Sequence, residues 1–230
     1  MPAASSGRLV PVPGDVIRQA SPGATDLERS VELLRQVASG DGPERLLRLY
    51  TPAPTLALTR RESLMPGYDL AVSAAQRLGF TPAIRPTGGR AAAYDETCLV
   101  FDLVEREESH ADPTALFAQA GGTIVDVLRG LGVDARLGEV PGEYCPGEYS
   151  INARGAVKLV GTSQRGVRGA RLLSGMLAFG PIDRFVAVLT EANAALRLEW
   201  DPRTFGSMLT EAPTASREDV EDALAAALIV

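Results

Sequence analysis

The chain has 230 residues, 45% hydrophobic and 23% charged, which suits one large globular domain with a substantial core. A net charge of −6 argues against general nucleic-acid binding, and no apolar run reaches the ~20 residues that a membrane span needs. Cys98 and Cys145 are too few for a disulfide framework, and the one histidine, His110, lies among Glu105, Glu107, Glu108 and Asp112, so no metal site is expected.

From the N-terminus, Met1 to Gly14 is rich in Pro, Ala, Ser and Gly without the compact apolar core of a signal peptide. Residues 1–24 are therefore expected to be a flexible tail on a cytoplasmic protein, with 25–230 forming a single domain. Thr25-Asp-Leu-Glu28 has capping-box spacing, and Leu27, Val31 and Leu34 recur at helical intervals, predicting a helix to about Ala38. Leu46–Tyr50 and Thr55–Thr59 read as strands joined through Pro52 and Pro54, and Gly67–Leu78 as a helix ended by Gly79. Pro82–Arg85 and the apolar Cys98–Val104 read as strands on either side of a Gly-Gly turn. Pro113–Leu131 is a predicted helix, with proline at its start and Gly132 just past its end. Short strands follow near Tyr149–Ala153, Val157–Gly161 and Arg171–Phe179, then helices over Arg184–Leu196 and Ser216–Leu228. Strands and helices mixed without strict alternation favour an α+β fold, a mixed sheet flanked by helices.

Of 23 basic residues, 22 are arginine; the one lysine is Lys158. A position that stays lysine in such a chain suggests a need for a compact ammonium, although an Arg-rich bias with one lysine left over explains the count equally well. Cys145 stands in Gly142-Glu-Tyr-Cys-Pro-Gly147, a turn-forming context that would expose it, where a nearby ammonium would favour thiolate. The alternative is a small buried hydrophobe, which Cys98 in its apolar strand fits better. With no second histidine, a cysteine nucleophile here lacks the usual imidazole base. Arg85-Pro-Thr-Gly-Gly-Arg90 offers backbone that a ligand can approach closely, flanked by two cations for an anionic group; a plain Gly-Gly hairpin is the competing reading. Gly161-Thr-Ser-Gln-Arg-Gly166 has phosphate-loop glycine spacing but lacks the Lys-Ser/Thr pair that should follow. From Tyr149 to Ile182 there is no Asp or Glu, while Arg154, Lys158, Arg165, Arg168 and Arg171 add +5. That island would suit an acidic partner, or be a solvated strand edge with outward arginines.

Two blocks in order, Arg85-x-x-Gly-Gly-x-Ala-x-x-x-Asp95 and Lys158-x-x-Gly-Thr-Ser-Gln-Arg165, resemble the lipoate–protein ligase and octanoyltransferase family. With Cys145-Pro-Gly-x-Tyr149 between them, the chain looks most like the cysteine-dependent octanoyl-amidotransferase branch, over about Leu46–Phe179. The resemblance implies a biotin/lipoate protein ligase-like catalytic domain in which Cys145 is the acyl-accepting nucleophile and Lys158 the active-site lysine. It assigns substrate binding to Arg85, Thr87, Gly88, Gly89, Arg90 and Ala91, and to Gly161, Thr162, Ser163 and Gln164. It implies an octanoyl or lipoyl donor and a lipoyl-domain or glycine-cleavage H-type carrier protein as acceptor, which Arg154, Arg165, Arg168 and Arg171 would meet. The transferase reading needs no cofactor; the alternatives are a ligase using ATP and Mg, and a non-catalytic relative that only binds acylated carriers. The first block departs from the ligase pattern, with Arg90 for a third glycine and Tyr94-Asp95 for a His-Asp pair.

Overall fold

The computed structural model describes residues 9, 12–20, 25–107, 112 and 114–229. His110, Glu108 and Pro113 lie outside them. In chain order the first half runs β1 (Gly14–Ala20), α1 (Asp26–Ser39), β2 (Arg45–Thr51), β3 (Thr55–Leu58), α2 (Tyr68–Arg77), β4 (Thr81–Ile84), β5 (Ala92–Tyr94) and β6 (Cys98–Arg106). The second runs α3 (Ala115–Gly130), β7 (Ala135–Leu137), β8 (Ile151–Ala153), β9 (Val157–Val167), β10 (Ala170–Ala178), α4 (Asp183–Leu196), α5 (Met208–Glu211) and α6 (Arg217–Leu228). The expected mixed architecture is present, but built from two sheets. Seven strands pair in the order β1-β2-β6-β10-β9-β8-β7, and β4-β3-β5 form a second, smaller sheet. Both are mixed: β1 runs parallel to β2 and β3 to β4, while the other pairings are antiparallel.

The helices form where apolar residues recur every three or four positions. On α3, Leu116, Ala120, Ile124 and Leu128 face the large sheet; on α6, Val220, Leu224 and Leu228 do. Together they cover one face, over Leu47, Leu49, Leu99, Phe101, Leu103 and Leu173. The capping box expected at Thr25 is not formed, because Thr25 is itself helical in φ and ψ. A capping box does close the start of α6, between Ser216 and Asp219.

The opposite face carries two separate apolar clusters. Leu33, Leu34 and Val37 of α1 pack on Leu46, Val104 and Leu172. The small sheet, α2 and α4 pack on Tyr50, Cys98, Val100 and Met176. Between the clusters runs a polar rung. Arg48 sits opposite Asp102, Asp102 opposite Ser174, and Ser174 opposite Ser163, one residue from each of four adjacent strands. Arg48 bonds Asp102 (3.1 Å) and reaches Asp26 at the start of α1 (2.6 Å). This rung divides the covered face and becomes the floor of a cavity.

The strands either side of Pro52 and Pro54 form as expected and enter different sheets. Two expectations change. Gly14–Ala20, assigned to a flexible tail, is an edge strand paired along its length with β2. The Gly-Gly segment is not a hairpin turn, since β4 and β5 both pair with β3 and not with each other.

Candidate active site

The Gly-Gly loop is held from both ends. Glu62, buried in a 3-10 turn after β3, accepts the Ala91 N–H (2.8 Å) with one oxygen and the Thr59 N–H and hydroxyl (both 2.8 Å) with the other. Arg85 spans the loop, donating from Nη2 to the Arg90 carbonyl (2.7 Å), while Thr87 accepts the hydroxyl of Ser163 on β9 (2.8 Å). Gly89 has φ +102°, and a Cβ there would stand 2.6 Å from the Arg85 Nη2 and 2.9 Å from the Cys145 Sγ. Only glycine fits that backbone and that space. Gly88 meets nothing within 4 Å, so its role is not steric.

Cys145 lies in the long connection from β7 to β8, which is wound round a buried carboxylate. Glu143 accepts the Val140 N–H (3.0 Å), the Ser150 hydroxyl (2.6 Å) and the Lys158 ammonium (2.9 Å). Lys158 also donates to the Cys145 carbonyl (2.5 Å) and lies 4.8 Å from the Tyr144 ring centroid. The contacts of the lysine therefore go to Glu143 and to the backbone of Cys145, and not to its sulfur as the sequence suggested. The donor to Sγ is instead the Arg90 backbone N–H (3.2 Å). This N–H is placed where negative charge on sulfur would sit. Cys145 is half-buried and open to solvent, whereas burial pushes the Cys98 thiol up to about 12 and keeps it protonated in the core.

Two cavities meet at Cys145. The inner one, with about 600 Å³ of empty space including its mouth, runs under the small sheet between Tyr144 and Gly161 at one end and Tyr50 and Asp102 at the other. The outer one, with about 1100 Å³, is open and framed by Gly88, Gly89, Tyr149, Lys158 and Gln164. Cys145, Thr162 and Ser163 line both. Gly161 is needed at the junction, since a Cβ there would meet the Lys158 Cε at 2.9 Å and the Tyr144 hydroxyl at 3.0 Å. The site residues named from sequence thus converge, Arg85, Thr87 and Gly161 on the inner cavity and Gly88, Gly89, Lys158 and Gln164 on the outer. Arg90 and Ala91 line neither cavity. They act through backbone N–H groups, and the Arg90 side chain turns away to the Glu199 carbonyl (3.1 Å). Glu62, Glu143 and the cavity tyrosines were missed. Glu143 stood two residues from the cysteine in the quoted block, which was a usable signal; Glu62 had none.

The basic island does not survive folding as one patch. Arg171 is buried against Glu107 and the Asp112 carbonyl, and Arg154 pairs with Glu211 beyond the far end of β9. Arg165 and Arg168 stay exposed, Arg165 beside the Gly-Gly loop, where it donates to the Pro86 carbonyl (3.1 Å). Among the described residues no helix is long and apolar enough to cross a membrane.

An octanoyl-[GcvH]:protein N-octanoyltransferase from Exiguobacterium sibiricum is 33% identical over 124 residues, 54% of this chain and 45% of that protein. One from an Exiguobacterium sp. is 28% identical over 124 residues, 54% of this chain and 44% of that protein. A lipoyl-[GcvH]:protein N-lipoyltransferase from Listeria monocytogenes is 26% identical over 137 residues, 58% and 48% of the two chains. The matches span under half the length of these relatives. Among solved structures, lipoate-protein ligase A bound with ATP superposes with a TM-score of 0.73 at 22% identity, over 96% of this chain and 83% of that one. A bi-partite lipoate protein ligase from Thermoplasma acidophilum gives 0.73 at 21%, over 94% and 82%. At such identities these likenesses establish the fold. The model of the lipoyl protein ligase A/B catalytic domain matches residues 22–229, nearly the whole chain, and the chain belongs to that family.

Proposed function

We propose that this chain transfers a medium-length acyl group, octanoyl or lipoyl, through a thioester on Cys145 to a lysine of a lipoyl-domain or glycine-cleavage H-type carrier protein. The observation that carries this reading is the position of the Cys145 sulfur at the junction of a narrow inner cavity and an open outer one. The inner cavity would hold the acyl chain, and the outer would admit the carrier. The names of the curated relatives support the same donor and acceptor class. The catalytic unit is read as residues 25–230, with β1 completing its edge.

The chemistry follows from the groups present. The Cys145 sulfur attacks the acyl carbonyl; a C–S bond forms, the donor carrier leaves, and it takes up the proton that the thiol loses. The amine of the acceptor lysine then attacks the thioester, the C–S bond breaks, and the sulfur regains a proton from that amine. Lys158 has three N–H bonds, two of them given to Glu143 and the Cys145 carbonyl, and it forms part of the outer wall. Its third N–H and the Gly88–Gly89 backbone are the donors we assign to the oxyanion, where losing one donor costs roughly 3 kcal/mol of barrier. Transfer between carriers needs no cofactor, whereas a ligase would use ATP and Mg to activate a free acid.

Intact-protein mass spectrometry after mixing the chain with an octanoylated carrier, without ATP, separates the readings. The expected result is a gain of one octanoyl group that is absent in Cys145→Ser. No adduct, but acylation of a lipoyl domain once ATP, Mg and free acid are supplied, would make the chain a ligase and leave Cys145 a wall residue.

A further inference from the structure

The inner cavity is not uniformly apolar. Polar side chains stand at both ends: Arg85, Thr87, Thr162 and Ser163 near Cys145, and Tyr50, Tyr94, Asp102 and Ser174 at the far end. The cavity crosses four strands, from Gly161 and Ser163 on β9 past Ser174 on β10 and Asp102 on β6 to Tyr50 on β2. Three strand spacings make that about 14 Å. At the far end stand Tyr50 and Tyr94, only 1% and 7% exposed, and neither hydroxyl has a hydrogen-bond partner among the described residues. Buried phenol hydroxyls ordinarily find a partner. Burial pushes both phenols well above their ordinary range, so each remains a neutral O–H that can donate.

An acceptor lies beside these donors. Ser174 gives its proton to Asp102, at 2.6 Å, and so presents lone pairs to an occupant, whereas Ser30, also 2.6 Å from Asp102, already accepts from Arg48 Nη1 (3.4 Å). The charge of Arg48 is already met by Asp102 and Asp26, so it is not free to pair with a charged occupant. A hydrocarbon chain filling this cavity would bury two phenol hydroxyls with nothing to bond. A chain tipped with a neutral group that both accepts and donates would satisfy the phenols and Ser174 together.

We propose that the far end of the inner cavity recognises an acyl chain ending in an uncharged polar group, a hydroxyl or a carboxamide, in preference to a plain hydrocarbon tail. The inference rests on the reading of this cavity as the acyl site and departs from octanoyl and lipoyl in the tip of the acyl group. A site built to hydrogen-bond a ligand group discriminates against the analogue lacking it, because its own polar atoms are left unpaired.

Calorimetric titration of the full chain with octanoate, ω-hydroxyoctanoate and the monoamide of the matching diacid tests this. The polar-tipped acids are expected to bind about tenfold or more tightly than octanoate. Tyr50→Phe and Tyr94→Phe should each remove most of that preference. Octanoate binding at least as well as the other two, a preference that survives both substitutions, or no binding by any of the three would overturn the proposal. Acyl-enzyme formation on Cys145 from octanoyl and ω-hydroxyoctanoyl donors distinguishes the two levels. Adducts from octanoyl alone, or at equal rates, leave the transferase reading standing and remove this one; no adduct from either removes the transferase reading.

Discussion

Two buried ion pairs hold the two ends of the inner cavity, and they are built from different cations. At the mouth, Lys158 meets one carboxylate, Glu143, and one carbonyl, Cys145, both in a single three-residue stretch. At the far end, Arg48 joins two carboxylates on two elements, Asp26 of α1 and Asp102 of β6, and lies 3.8 Å from the Tyr50 ring centroid. A guanidinium fork serves where separate elements must be tied together. An ammonium on a thin stem serves where a point charge must pass close to a backbone, as Lys158 does beside Gly161. The single lysine of the chain serves one short stretch of backbone, and the fully buried Arg48 joins two separate elements.

Breaking the far pair should cost the most. Arg48→Ala leaves Asp26 and Asp102 buried without their cation, and unfolding in denaturant should show a loss of about 3–5 kcal/mol. A loss below about 1 kcal/mol would mean that α1 docks without the ion pair. Glu143→Gln is the sharper cut at the mouth. Lys158 then keeps hydrogen bonds but no counter-charge, beside a cavity that water can enter, and the expected cost is about 1–3 kcal/mol. Acyl transfer should fall by much more than the fraction unfolded; transfer falling only in step with stability would reduce Glu143 to a structural part. Arg154, at the surface and paired with Glu211, sets the lower bound, and Arg154→Ala should leave the midpoint of the same denaturant curve nearly unchanged.

Much of the scaffold was legible because it follows local rules. The helices at α3, α4 and α6 and the apolar strand β6 each declare themselves through periodicity or composition within one segment. What was not legible is what forms between segments. Asp102 was visible as one charge inside Cys-Leu-Val-Phe-Asp-Leu-Val, and Arg48 as one charge inside Leu-Leu-Arg-Leu-Tyr. Nothing in either stretch said that they would face each other across a strand register. The acid-free run around Lys158 misled for the same reason, since Glu107 and Glu211 reach it from other parts of the chain. The blocks at Arg85–Asp95 and Lys158–Arg165 pointed to residues that line the cavities at Cys145; the contact from the Arg90 amide to its sulfur required the loop in three dimensions.

The clamp from Lys158 grips the carbonyl of residue 145, and that grip is indifferent to the side chain the residue carries. Reactivity and anchorage are thereby assigned to different atoms of one residue. The sulfur can be exchanged for a hydroxyl or a methyl while the loop keeps its hold on the ammonium. A lineage carrying this loop is free to change the group at the meeting of the two cavities in one step without first rebuilding the scaffold around it.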